Sequence, residues 1–495
     1  MSAADYIVVG AGSAGCAAAA GLSLAGRVLV LEAGPGDWHP LVRVPMGLIW
    51  LMGSARDWRY RSASQAALDG RRVAVPRGRM LGGSGAINSM VWFRGRADDF
   101  DAWNLPGWRW ADVRPAFEAV EAVMRPAPLR TPHALARAFG DGPPSPERES
   151  AGLCRYNMAH GRRRSAADAF LRPALRRGAA LRLRAPVDRL CFRAGRARGV
   201  VLADGSELQA TRGVVLSAGA IGTPAILIRS GIGPRADLAR LGIDPVTEAE
   251  GVGGNLHDHP AVAVHHAGPR SGYGLSLATA PGWALAPLRY ALGGGAGPLG
   301  SPTVEACAFL DASGTGTPDV QVHFIPFMIG WQGRAIVPGQ GYYADVCVSR
   351  PRSRGRLRLT SRDPAMAPEI DLGLLRDPAD MALLIRGLRR LRAFLADAPF
   401  GAARAPEAFP GPDCADDAAL AAHIRARAGT SYHPVGTARM GAGPDAPVAP
   451  DLAVRGVGDL WVADASIMPR VTSANTNAPA MMIGHRAGAL IGAAA

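Results

Sequence analysis

The sequence predicts an α/β protein, and three observations carry that prediction. Residues 6–32 run strand, glycine-rich turn, small-residue helix, strand, the order of a parallel βαβ unit. The chain holds 62 glycines and 40 prolines, high for a helical bundle and suited to many tight connections. Hydrophobic residues fill 48% of its 495 positions and charged residues 19%, so a large core can be buried and disorder is excluded. At roughly 150 residues per domain this length asks for two or three domains. Two intertwined domains are expected.

In the first unit, residues 6–10 read as a buried strand, 14–25 as a helix and 27–32 as a second strand. The turn between them is Gly10-Ala11-Gly12-Ser13-Ala14-Gly15. Gly10 permits the tight turn, Gly12 lets backbone approach a pyrophosphate, and Gly15 lets the helix pack close to the strand. The helix N-terminus stabilises phosphate charge. Glu32 closes the second strand, where it can accept from ribose hydroxyls and would repel a 2′-phosphate. The unit predicts a dinucleotide, NAD or FAD, and disfavours NADP.

A second glycine-rich loop follows at Arg77-Gly78-Arg79-Met80-Leu81-Gly82-Gly83-Ser84-Gly85-Ala86-Ile87-Asn88. It offers backbone N–H groups without side-chain bulk, which suits a flat ring or a second phosphate contact, with a plain irregular connection as the alternative. Residues 184–219 read as a meander of strands turning at 203–206. A helix should start near Thr223-Pro224. Between about residues 261 and 410 the pattern alternates, as in 320–324 and 343–348, which predicts an antiparallel sheet covered by a helix over 380–396. The tail returns to the first style, with a strand at 460–464 and a helix over 478–491 begun by Pro479.

The formal net charge is +14, ordinarily a hint of a polyanionic partner. All 55 basic residues are arginine, and the crowd of Ala, Gly and Pro around them points to coding bias instead. The clusters Arg162-Arg163-Arg164 and Arg350 to Arg358 hold few aromatic residues for stacking bases. No nucleic acid is expected, and the arginine patches leave peripheral membrane contact open. The six cysteines form no CxxC pair and none sits beside a His at ligand spacing, so buried free thiols and no metal site are expected. His257 and His259 flank Asp258, yet no third ligand is evident. No GxSxG elbow suggests a hydrolase. An acid stands where a signal peptide carries basic residues, and no apolar run reaches about 18 residues, so a soluble cytoplasmic protein is expected.

Taken together, the motifs resemble those of the glucose-methanol-choline (GMC) family of FAD-dependent oxidoreductases along nearly the whole chain. Gly78 to Asn88, followed by Trp92 and Gly95, is similar to the first family signature. Gly219-Ala220-Ile221-Gly222-Thr223-Pro224 and onward to Gly233 is similar to the second without a departure. Gly251 to His259, Arg350-Pro351-Arg352-Ser353-Arg354-Gly355 and His433-Pro434-Val435-Gly436-Thr437 follow in the family's order. The resemblance implies a Rossmann-like FAD-binding domain assembled from residues 1–125, 178–260 and 425–495. Residues 126–177 and 261–424 would form a substrate domain of antiparallel sheet with covering helices. It further implies that FAD is held by Gly10, Gly12, Ser13, Ala14, Gly15, Glu32, Ala33, Arg79, Gly82, Gly83, Ser84, Asn88, Met90, Val91, Val187, Ala218, Asp464, Ala465 and Ala478. Ile87 stands where covalently linked relatives carry His, so the FAD should be noncovalent. The segment from about 126 to 160 is short for the family, implying a small or open lid, and Ala480 stands where many relatives have Thr.

The implied activity is oxidation of an alcohol, usually primary, with electrons passing to O2, a quinone or another redox carrier. The family's active-site pair maps onto His433 and Asn477. An alcohol hydroxyl is too weak an acid to ionise unaided, so a base of near-neutral pKa has to take its proton while hydride moves from carbon to flavin N5. His433 is the expected base. Asn477 is the expected donor to the developing oxyanion, and it is also placed to cap the last helix. The rivals are a lyase, isomerising or light-driven use of the flavin, and FAD binding without turnover; presence of both residues argues against each. Phe324, Phe327, Met328 and Trp331 either line an apolar pocket or belong to the core. No cage for a quaternary ammonium stands out, so small aliphatic or aromatic alcohols lead the expected substrates, with a sugar or a biosynthetic intermediate behind them.

Overall fold

The computed structural model describes residues 4–269, 271–328 and 339–493. Its first sheet grows from the βαβ unit. Strand Ala4–Val9 lies between Val28–Leu31 and the inner half of Glu207–Leu216, all parallel. Ala180–Arg182 and Leu460–Val462 extend the sheet on its two sides, also parallel. The outer half of Glu207–Leu216 leaves this sheet and pairs antiparallel with Arg196–Leu202, which pairs with Val187–Arg193. The expected meander is therefore continuous with the central strand.

The first turn admits only glycine at two places. Gly10 has φ +100°, and a Cβ on Gly15 would lie 1.9 Å from the Gly10 carbonyl oxygen. Helix Ser13–Leu22 ends earlier than the expected residue 25, because the chain turns at once into Val28–Leu31. Helix Asn477–Ala493 packs along it with backbones nearly touching. A Cβ on Gly21 would lie 2.7 Å from Gly488 Cα, and one on Gly484 would lie 2.1 Å from the Ala14 carbonyl oxygen. Small residues on both helices thus bring the last helix against the first glycine-rich turn.

Helix Gly219–Arg229 starts four residues before the expected Thr223-Pro224. Asp464 explains the early start: one of its carboxylate oxygens accepts from Gly219 N at 2.8 Å and from Thr223 Oγ1 at 2.6 Å, which satisfies donors at the helix N-terminus.

The second sheet is antiparallel in the order Glu407–Phe409, Pro260–Ala267, Gly341–Val348, Val320–Ile325, Ala306–Leu310, Ser150–Leu153. Helix Pro378–Asp397, capped by Asp377, covers one face through Leu384, Leu388 and Leu391. Gly387 lets it approach Val320 and Val346 closely. Strand alternation then turns His323, Ile325, Tyr343 and Asp345 to the other face. Phe324 packs in the core against Phe139, Tyr342 and Phe400, and Phe327 meets Trp283 edge-on; Trp331 lies outside the described residues. The α/β class with an antiparallel second sheet holds. Among the described residues no helix is long and apolar enough to cross a membrane.

Gly484→Ala should destabilise the fold by about 1–3 kcal/mol, the usual cost of forcing atoms into a packed contact. A lowered thermal midpoint with flavin bound is the expected result, and an unchanged midpoint would show that the two helices separate without cost.

Candidate active site

Both sheets contribute to a cavity of about 480 Å³. The first sheet's loops supply Gly10, Gly12, Ser13, Ala14, Glu32, Ala33, Ala218, Asp464 and Ala465, and the second glycine-rich loop supplies Gly83, Ser84, Asn88, Met90 and Val91. Val187, His433 and Asn477 also line it. Four expected contacts are set back. Gly15 and Gly82 shape the loops, Gly82 at φ +93° with its N–H donating to the Ala11 carbonyl at 2.8 Å. Arg79 stacks its guanidinium over Trp58, and Ala478 is buried inside the last helix.

Glu32 is buried, and its two oxygens accept from Ala11 N at 3.0 Å and Gly34 N at 2.8 Å. Burial pushes its carboxyl up to about 7, against the pull of those N–H groups. It therefore ties the glycine-rich turn to the second strand as well as facing the cavity.

At the far end of the cavity a chain of histidines has its protons assigned by one carbonyl. His259 Nε2 lies 3.0 Å from the Thr472 carbonyl oxygen, which can only accept. His259 Nε2 carries the proton, so Nδ1 accepts. His433 Nδ1, 3.2 Å away, must then donate to it, and His433 Nε2 is left with a lone pair. The backbone N–H of His433 donates to Asp258 at 2.9 Å. Burial first, then His259, His323 and Arg77, holds the His433 pKa well below its ordinary value. His257 and His259 are likewise kept neutral by burial, at about 3 and about 4, and His257 bonds Asn255 O and Val471 N. No cluster that could hold a metal occurs among the described residues.

The amide that meets His433 belongs to Asn475. Asn475 Nδ2 lies 3.2 Å from His433 Nε2, and its Oδ1 accepts from Gln321 Nε2 at 3.0 Å. Asn477, the residue expected there, is the first residue of the last helix and also lines the cavity. Its Oδ1 accepts from Ser13 Oγ at 2.6 Å. The same Asn475 nitrogen lies 3.4 Å from His323 Nε2, and His323 Nδ1 lies 2.9 Å from Asp345 Oδ1. His323, Asp345 and Asn475 were all missed in the sequence, although His323 sits inside the recognised alternating run 320–324.

Family models described as GMC oxidoreductase match residues 4–261 and 351–484. The chain belongs to the GMC oxidoreductase family. It is 36% identical to an oxygen-dependent choline dehydrogenase of Sinorhizobium fredii, over 98% of this chain and 94% of that one. It is also 36% identical to an alcohol dehydrogenase [acceptor] of Pseudomonas putida, over 98% and 95%. Among solved structures, a pyridoxine 4-oxidase from Mesorbium loti superposes with TM-score 0.86 at 28% identity, covering 98% of each chain. GMC oxidoreductases are FAD-dependent and act on CH–OH donors, and so is this chain.

The residues present fit that cofactor. A Cβ on Gly83 would lie 2.7 Å from Gly12 Cα, so the two glycine loops close over the phosphate end without side-chain bulk. Asn477 lines the cavity and its Nδ2 is buried with no protein partner, a donor free for a bound group. Ile87 lines the cavity and offers no nucleophile for a covalent link. Acid precipitation should therefore release all of the FAD into solution; flavin retained by the precipitated chain would contradict this. If Glu32 accepts from the ribose as the sequence suggests, replacing it with Ala removes a hydrogen bond to a carboxylate worth about 1.5–3 kcal/mol. FAD affinity, read as flavin retained after dialysis, should fall tenfold or more.

Proposed function

We propose that this GMC oxidoreductase oxidises a small primary alcohol to the aldehyde, with His433 as base and Asn475 as oxyanion donor. The observation that carries this is the unshared lone pair of His433 Nε2, turned into the cavity and 3.2 Å from the Asn475 amide nitrogen. When bound, FAD supplies the hydride acceptor. A hydroxyl oxygen at this place receives an Asn475 N–H while its proton faces His433 Nε2. The amide strengthens its hold as the oxygen becomes alkoxide-like, so it acts mainly on the transition state. Gln321 fixes the amide orientation, and His259 fixes the imidazole tautomer. Ile325, Tyr343 and Val304 form the apolar part of the substrate side, which supports a small aliphatic or aromatic alcohol. The relative named as oxygen-dependent supports O2 as the electron acceptor.

His433→Ala should keep its FAD yet reduce it with alcohol about 10²–10⁴-fold more slowly, the usual contribution of a general base. Asn475→Ala should slow reduction about 10²–10³-fold, and the double variant should lose less than the product because both groups act on one oxygen. Anaerobic stopped-flow reduction measures all three. A near wild-type rate in FAD-loaded His433→Ala would sink the assignment, and Asn477→Ala slower than Asn475→Ala would return the amide role to Asn477.

A further inference from the structure

His433 is well placed to take a proton and poorly placed to keep one. It is desolvated, and the charges that reach it are other histidines and Arg77. Across the same Asn475 amide stands an imidazole in the opposite situation. His323 and Asp345 are register partners on neighbouring antiparallel strands, so the period of two turns both to the cavity face. His323 is 5% exposed and Asp345 7%, and both line the cavity. Asp345 accepts from His323 Nδ1–H at 2.9 Å, which leaves the lone pair on Nε2, facing the Asn475 N–H.

The other groups around His323 carry no lasting charge against it. Gln321 shares its strand. Cys307, its register partner on Ala306–Leu310, and Tyr343 on Gly341–Val348 have their pKa values pushed up by burial and stay neutral. Glu305 lies farther along that strand with its carboxylate on the His133 N–H, its carboxyl pushed by burial to about 7. From the 431–433 segment come Tyr432, held neutral by burial, and His433; His259, Asp258 and Arg77 lie behind them. Burial alone would lower the His323 pKa, but the Asp345 carboxylate outweighs it and holds it above the ordinary value.

We propose that His323, with Asp345 behind it, is a second base of this cavity, and that the proton leaving the alcohol comes to rest on His323 while His433 returns to neutral. This rests on the alcohol-oxidation reading above. Both Nε2 atoms meet one amide nitrogen, so a hydroxyl oxygen bound at that nitrogen faces both. The O–H bond breaks and an N–H bond forms at His323 Nε2, directly or after a first transfer to His433 Nε2. The oxygen's freed electron pair becomes the second carbonyl bond as the carbon-bound hydrogen leaves with its own pair to FAD. His323 is a catalytic residue in this scheme, and Asp345 a positioning residue that sets its basicity.

Asp345→Asn keeps the shape and removes the charge. Because the carboxylate favours protonated His323, its loss should lower the pKa of that imidazole. The acid limb of anaerobic flavin reduction should then move to lower pH by about one unit or more, the usual effect of one contacting opposite charge. Ring-nitrogen spectra of 15N-histidine-labelled, FAD-bound protein read the same property without turnover. One signal, missing in His323→Gln, should titrate above the ordinary imidazole range and move down in Asp345→Asn, while the signal missing in His433→Gln stays neutral over roughly pH 5–8. A His323 signal, so assigned, that titrates at or below the ordinary value in the wild-type protein overturns the proposal, whether or not Asp345→Asn folds. So does an acid limb that stays in place in Asp345→Asn. Rapid reduction by FAD-loaded His433→Ala would instead defeat the role of His433 and leave the His323 titration to stand on its own.

Discussion

A hydrogen bond to a carbonyl has one direction, and the bond from His259 to the Thr472 carbonyl sets the direction of the protons along the His259–His433 pair. It makes His259 an acceptor at Nδ1, makes His433 a donor at Nδ1, and so exposes the His433 Nε2 lone pair to the cavity. Were the Thr472 position to offer a donor instead, the whole chain would reverse and His433 would present an N–H where a base is needed. Of the two histidines around Asp258, which invite a metal site when read as a motif, His259 thus serves the tautomer of a third, while His257 ties Asn255 to Val471.

The site joins two sheets that could not build it separately. The first sheet presents loop ends with glycines and oriented N–H groups, and the second presents side chains from the face that its covering helix leaves open. The amide of Asn475 is the meeting point, held by Gln321 from the second sheet and touching imidazoles on either hand. Unequal surroundings give these two imidazoles unequal basicity: one has arginine and histidine neighbours, the other a carboxylate. That inequality is what allows two chemically identical side chains to differ in role.

The parts legible in the sequence are those whose physics is local. The first turn could be read because Gly10 answers to its own positive φ and Gly15 to the Gly10 carbonyl five residues back, and the alternating strands because a period of two is visible in any short window. His433 was legible as a cavity residue through its motif. Its amide partner was misplaced by two residues, since Asn475 and Asn477 both precede the last helix. The choice between them depends on where a loop 42 residues away brings His433. Asp345 and His323, 22 residues apart, become a pair only through strand register. Helix Gly219–Arg229 began early for the same kind of reason, because the carboxylate that receives its first N–H comes from Asp464, 245 residues along the chain.

The contact between the first and last helices bears on how the protein is made. Ser13 is translated 464 residues before Asn477, to which its hydroxyl donates, and the last helix seats against the first through Gly484 and Gly488. A nascent chain therefore carries its first glycine-rich turn without that neighbour until the last helix has been made. Contacts of such long sequence separation form late and slowly. The wall of the cavity beside Ser13 is complete only once the last helix has docked, so scarcity of FAD at that moment would leave the two helices to meet over an empty space rather than around a ligand.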